Sequence, residues 1–340
     1  MWQRQSFAPH IIARELDWAA QIGINSVRLG LPYIVWQDDA NGLLERLDHV
    51  LTLLAERSMT AMPYLLDDCE FSGQPPRLGK QPDPVPGLHN SRATGSPGRA
   101  LVMDQQAWPD IERYVAHVIR TFTDDDRIVA WDVYNEPGNR VIFTLEGAQA
   151  YDEALEEQAL LLLRRAFDCA RHIAPSQPLT AAGWRVPPSY VGDDVEPYDH
   201  PLDAAAFELS DVVSFHAYCS PSRMQRVIER VRRYHRPLIC SEWMGRQADS
   251  RIQQQLPLLR REAIGSYIWG FVRGRSQTEL PWPDFLDPTT STSEEWFHDV
   301  VDANGLPYND EETQVIRREV QRRDGFLRTY TRRPTSTPHR

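Results

Sequence analysis

Two glutamates each close a short apolar run, Glu136 in "WDVYNEPGN" and Glu242 in "PLICSEW", and 106 residues separate them. The runs are rich in β-branched and aromatic side chains, as buried strands are. Three strand-helix units of about 30 to 35 residues fit between them, which puts the two acids on opposite sides of one mouth if the strands form a parallel barrel. Two carboxylates facing across a cleft can cleave a glycosidic bond. One protonates the leaving oxygen, while the other attacks the anomeric carbon or activates water; about 5 to 5.5 Å between them gives retention and about 6.5 to 9.5 Å inversion. Asn135 can hydrogen-bond a sugar hydroxyl beside Glu136, and Pro137 ends the strand ladder. His216 and Tyr218 are two apart on one strand and face the same way. Tyr218 can donate to Glu242 and Arg28 can add positive charge, so Glu242 is expected to be ionised. Glu136, in a less positive setting, is expected to be the protonated acid.

These residues need a scaffold that carries strand ends to one place. Seven runs read as strands: Ile24 to Leu31, Met59 to Asp67, Ile128 to Asn135, Pro178 to Trp184, Val212 to Tyr218, Pro237 to Glu242 and Ile264 to Phe271. Helical periodicity covers Ile11 to Gln21, Leu43 to Arg57, Trp108 to Phe122, Glu146 to Ile173, Met224 to Tyr234, Ser250 to Glu262 and Glu311 to Arg322. The alternation predicts an α/β fold, a (β/α)8 TIM barrel that lacks its first strand at the N-terminus, because the chain opens on the helix that should follow strand one. That strand is expected upstream of Met1. Residues 1–325 read as one catalytic domain and residues 326–340 as a polar, disordered tail.

The strand ends collect Arg28, Asp67, Asp68, Asn135, Glu136, Trp184, His216, Tyr218, Glu242 and Trp269. Trp36, Trp184, Trp243 and Trp282 are candidate sugar-stacking platforms, and His298 could reach the mouth from the last loop. Trp131, in mid-strand, reads as core. The connections Asp68 to Ala107 and Val272 to Asp310 exceed the usual loop length and follow strands, so both are expected to wall the site.

Composition narrows the partners. The 340 residues carry 37 Lys and Arg against 48 Asp and Glu, a net charge of −11, so a surface that tracks phosphates is not expected and no nucleic-acid partner is. Mean hydropathy is −0.51 and no 18-residue apolar run occurs, so no membrane span is expected. The stretch "RRDGFLRTYTRRPTSTPHR" is locally basic but reads as a solvated end. Four scattered cysteines, Cys69, Cys169, Cys219 and Cys240, suit reduced packing residues, and the first ten residues lack the pattern of a secretory signal, so a cytoplasmic protein is expected.

Taken in order, "YNEPGN", "SFHAY", "LICSEW" and "SYIWGF" resemble the clan A retaining glycoside hydrolases, most closely glycoside hydrolase family 5, the cellulase family. The resemblance runs from about Ile11 to Phe271. It implies a (β/α)8 barrel with Glu136 as acid/base, Glu242 as nucleophile and Asn135 as hydroxyl binder. It further implies that Arg28, His216 and Tyr218 surround the nucleophile and that Trp269 floors the −1 subsite. Family members commonly carry a histidine where this chain has Asp67-Asp68, and an acid there can hold a sugar diol bidentately. The expected activity is therefore a retaining β-glycosidase acting on β-linked oligo- or polysaccharides of the cellulose, mannan or xylan kind, with a carbohydrate substrate and no cofactor. Two alternatives are a metal-dependent sugar isomerase or hydrolase, with Glu136, Asp68, His216 and Glu242 as ligands, and a catalytically inactive carbohydrate-binding barrel.

Overall fold

The computed structural model describes residues 1–187, 195–283 and 295–321. The expected tail, 326–340, lies outside them. Among these residues ten α-helices and ten strands follow one another as α1 (Pro9–Ile22), β1 (Ser26–Gly30), α2 (Tyr33–Asp38), α3 (Ala40–Ala55), β2 (Thr60–Asp67), α4 (Arg99–Met103), α5 (Trp108–Thr121), β3 (Trp131–Asn135), β4 (Val141–Thr144), β5 (Gly147–Ala150) and α6 (Ala154–Ile173). Then come β6 (Leu179–Thr180), β7 (Ala182–Gly183), α7 (Pro201–Leu209), β8 (Val213–His216), α8 (Pro221–Arg232), β9 (Leu238–Glu242), α9 (Ile252–Arg261), β10 (Gly265–Ser266) and α10 (Asp310–Gln321).

All barrel pairings are parallel, in the orders β1-β2-β3-β6 and β10-β9-β8-β7. Only Ala181 lies between β6 and β7, so the two sheets share one chain path and make a seven-stranded wall. Every residue of β3 is buried, as a strand covered on both faces must be. No ladder joins β10 to β1 among the described residues; the Ser26 and Tyr267 hydroxyls meet there at 2.7 Å. Outside that seam α10 packs on both α9 and α1.

Among the described residues no strand precedes α1. The chain instead enters at the mouth, where Trp2 is buried and its indole nitrogen donates to the Gly30 carbonyl at 2.6 Å. Helix ends follow local chemistry. Pro9 opens α1, and Gly23 closes it at φ 98°, its amide reaching the Ala19 and Ala20 carbonyls. Ser220 caps α8 by accepting from the Arg223 amide.

Three expectations change. The helix expected from Glu146 begins at Ala154, because Val141–Thr144 and Gly147–Ala150 first form an antiparallel hairpin. The last strand shrinks to Gly265–Ser266, so Trp269 lies beyond it. A further helix, α7, covers Pro201–Leu209, which had no assigned element.

Candidate active site

A cavity of about 530 Å3 opens at the C-terminal ends of the strands. Asp67, Asn135, Glu136, Trp184, His216, Tyr218, Glu242, Trp269 and Trp282 all line it, as their positions in sequence predict. Arg28 lies beneath, from the middle of β1. Its guanidinium donates to Glu242 Oε1 at 2.8 Å, to Asp132 Oδ2 at 2.6 and 2.9 Å, and to Asn135 Oδ1 at 2.6 Å. Burial opposes its charge, but the two carboxylates hold it above the ordinary range. Asp132, wholly buried in β3, is the counter-ion that sequence reading missed.

Glu136 sits one residue past β3 at φ 43°, a left-handed conformation that is costly for a side-chain-bearing residue. That backbone turn aims the carboxylate into three donors: His216 Nδ1 lies 2.7 Å from Oε1, and Asn139 Nδ2 and the Cys69 thiol lie 2.6 and 3.0 Å from Oε2. Glu242 ends β9 and accepts from the Tyr218 hydroxyl at 2.7 Å besides Arg28. His216 Nε2 stands 3.7 Å from Glu242 Oε1 and has no closer partner. One oxygen of Glu136 and one of Glu242 lie within 4.8 Å of each other.

In the unliganded site the two carboxyls are shifted in directions opposite to those expected. Burial pushes Glu136 up, but the hydrogen bond and charge of His216, with Cys69 and Asn139, hold it below the usual carboxylate range. Burial and the charge of Glu136 hold Glu242 above that range, against His216, Arg28 and Tyr218. The physical reason is the histidine, which stands nearer Glu136 than Glu242.

Four expectations for site residues are corrected. Asp68 points away from the cavity: it is wholly buried and accepts from the Tyr134 hydroxyl at 2.9 Å and the Gly138 amide at 2.7 Å, so it braces the turn after Glu136. Trp36 belongs to α2, where its indole donates to His117 Nδ1 and its ring packs on Tyr33 and Tyr114. Trp243 is buried in the core. His298, fully buried, stands behind the cavity wall against Trp269, Tyr218 and Trp282. Asp67 does line the cavity and accepts from Asn135 Nδ2 at 2.9 Å; burial raises it to about 6.

Sequence reading also missed Cys69, Phe71, His89, Asn139 and Phe143, all of which line the cavity. They come from the long connection after β2, the turn after β3 and the hairpin, where no periodicity marks them. His89 hydrogen-bonds the Leu280 carbonyl through Nδ1 at 2.6 Å, and its ring packs between Phe143 and Trp269. Burial pushes it down to about 4, so it is neutral.

Glu136, His216 and Glu242 could together hold a cation among the described residues. The Arg28 guanidinium occupies the Glu242 oxygen that faces His216, which opposes a second positive charge there.

No family model and no curated protein matches the chain. Solved structures do. GH5_18 from Streptomyces cattleya, in a variant crystallised with Manb1-4GlcNAc, is 16% identical with a TM-score of 0.60, over 96% of this chain and 78% of that one. The endo-1,4-beta-mannanase of Rhizomucor miehei is 11% identical at a TM-score of 0.58, over 94% and 92%. A beta-glucosidase named 1317 is 14% identical at 0.57, over 92% and 88%. The chain is thus an α/β barrel of the (β/α)8 type with a buried carboxylate pair at its mouth. Its fold is the one these GH5, mannanase and beta-glucosidase structures share. No described helix is long and apolar enough to cross a membrane.

Proposed function

We propose that the protein is a retaining β-glycosidase of the family 5 kind, working by double displacement. The observation that carries this reading is the separation of the two carboxylates, within 4.8 Å between oxygens across the cavity. That suits direct attack and leaves too little room for a water between the second carboxylate, Glu242, and the sugar. Glu242 attacks the anomeric carbon and the glycosidic bond breaks, with the leaving oxygen taking a proton from Glu136. Water then attacks the glycosyl-enzyme ester, giving its proton back to Glu136, and the sugar leaves with its β-configuration. Arg28 and Tyr218 each donate to Glu242, which favours the carboxylate form that attacks. His216 Nδ1, 2.7 Å from Glu136 Oε1, holds that carboxyl in place beside the leaving oxygen. Asn135 accepts from Arg28 through Oδ1 and donates from Nδ2 to Asp67 at 2.9 Å and to the Cys69 sulfur at 3.4 Å; the weak bond to sulfur is the one a sugar hydroxyl would replace. Trp269 supplies a stacking face.

The test is a panel of aryl β-glycosides and short β-linked glycans, with the anomer of the first product read by NMR. A β-anomer is expected, and Glu242→Gln is expected to lose activity by about 10^3-fold or more. A Gln variant within tenfold of the parent would sink the nucleophile assignment. The cation-competent trio keeps one second reading in view, a metal-dependent sugar enzyme. EDTA abolishes activity under that reading and leaves the glycosidase untouched.

A further inference from the structure

We propose that His89 helps to choose the sugar: its Nε2 accepts a hydrogen bond from one hydroxyl of the glycone that lies on Trp269. The proposal rests on the glycosidase reading, in which the indole of Trp269 is the stacking face.

His89 lines the cavity, although it belongs to the long connection after β2 rather than to a strand end. Its place is fixed by another loop. The connection after β10 grips this short stretch three times: Gln277 Nε2 donates to the Leu88 carbonyl at 2.8 Å, the Asn90 amide donates to the Ser276 carbonyl at 2.9 Å, and His89 Nδ1 lies 2.6 Å from the Leu280 carbonyl. A carbonyl oxygen only accepts, so Nδ1 carries the ring proton and Nε2 is left with a lone pair. Burial, which pushes the imidazole down to about 4, keeps a second proton off the ring near neutral pH.

Among the described residues nothing donates to that lone pair. Nε2 is buried without a hydrogen-bond partner, and the rings around it are those of Phe143, Trp269, Phe297 and His298. His298 cannot serve. Its own Nδ1 is spent on the Met244 carbonyl, so its Nε2 is a second unpaired acceptor, and two acceptors do not pair. A buried acceptor with no donor is costly, and a fold that keeps one calls for a proton from outside the chain. The His89 and Trp269 rings line the same cavity with 5.7 Å between centroids. A sugar seated against the indole therefore has hydroxyls within reach of the imidazole.

Such an acceptor discriminates between sugars. A hydroxyl in the right place satisfies it, whereas a bare C–H leaves it unpaired, and the neutral ring has no proton with which to accommodate a group that can only accept. Asn135 and Asp67 can bind hydroxyls beside the two carboxylates; His89 adds a requirement from a loop that the strand pattern does not govern.

The accepted glycone is found first, with the 4-nitrophenyl β-D-glucoside, β-D-mannoside and β-D-xyloside and the β-1,4-linked di- and trisaccharides of each sugar. Analogues of the accepted substrate that lack the glycone hydroxyl at C3, C4 or, for a hexose, C6 are then assayed with the parent chain and with His89→Asn. The asparagine amide can still donate to the Leu280 carbonyl but has nothing in the place of Nε2. At one of these positions the two changes are expected to be non-additive. His89→Asn lowers kcat/KM on the full sugar by about tenfold, and on the analogue lacking that hydroxyl by less than about threefold. A merely structural role lowers every substrate alike and cannot produce that pattern. His89→Phe, which keeps a ring and loses both nitrogens, goes through the same cycle if His89→Asn does not fold. Equal losses on the full sugar and all its analogues, or no loss on any, overturn the proposal and leave the glycosidase reading standing; Nε2 then faces a buried water. A parent chain inert on every glycoside overturns the glycosidase reading itself.

Discussion

The Cys69 thiol donates to the same carboxylate that His216 touches, and a thiol is a weak donor that can be removed with little loss of volume. Losing a hydrogen bond to the charged form favours the protonated one, so Cys69→Ala should raise Glu136. The alkaline limb of the kcat/KM profile, where the acid loses its proton, is expected to move to higher pH, and Cys69→Ser should move it back. The change in rate at neutral pH should stay within about tenfold. A profile identical to the parent's would mean that the thiol does not bear on the acid. Most of the site was legible one residue at a time. Glu136, Glu242, Asn135, His216, Tyr218 and Trp269 each lie at or just past a strand end, and strand ends show in the alternation of apolar and turn-forming residues. The balance of charge was not legible, because it turns on the 2.7 and 3.7 Å from one imidazole to two acids. Nor was Cys69, which lies two residues past the end of β2, in a stretch with no period.

At the scale of elements, the loop after β10 is held by one arginine. Arg246 is wholly buried, pairs with Glu312 of α10 at 2.6 and 2.9 Å, and donates to the carbonyls of Trp296, His298 and Asp299. It thereby fixes the segment that backs Trp269 and Trp282. Arg246→Met leaves Glu312 a buried, unpaired charge and is expected to cost about 3–5 kcal/mol, read as a lower denaturant midpoint. The double variant Arg246→Met, Glu312→Leu should recover a large part of that stability; if it does not, the ion pair is not the source of the loss. Elements were legible where periodicity is long, as in α5 and α6, and misread where two short patterns abut. The hairpin Val141–Ala150 runs directly toward the helix that follows, and its Glu-Gly-Ala-Gln letters suit a helix better than a strand. Trp36 is a candidate platform by residue type alone, but the short helix α2 places it on Tyr33 and Tyr114.

The whole molecule answers to pH through carboxyls whose burial outweighs the hydrogen bonds and cations near them. Burial pushes Asp68 up to about 7, and Asp67 and Asp299 to about 6. A carboxyl raised on folding stabilises the fold below its unfolded range, near 4, and that contribution is lost as pH climbs through the folded value. His89 and His298, held low by burial, act in the opposite sense, but only below the ordinary histidine range near 6.5. From pH 6 to pH 8 the melting temperature is therefore expected to fall. Asp68→Asn, a neutral isostere, should flatten that fall by about 2–4 °C, and an unchanged slope would refute the role given to Asp68. The seam between β10 and β1 bears on how the barrel yields. A ring of strands closed by backbone pairing must break a ladder to open anywhere, whereas among the described residues this wall can part at the Ser26–Tyr267 contact with no ladder broken. Its last line of cooperativity is there the outer clasp of α10 on α1 and α9, so the amides of β1 that face the seam are the first of the barrel to trade their protons with water.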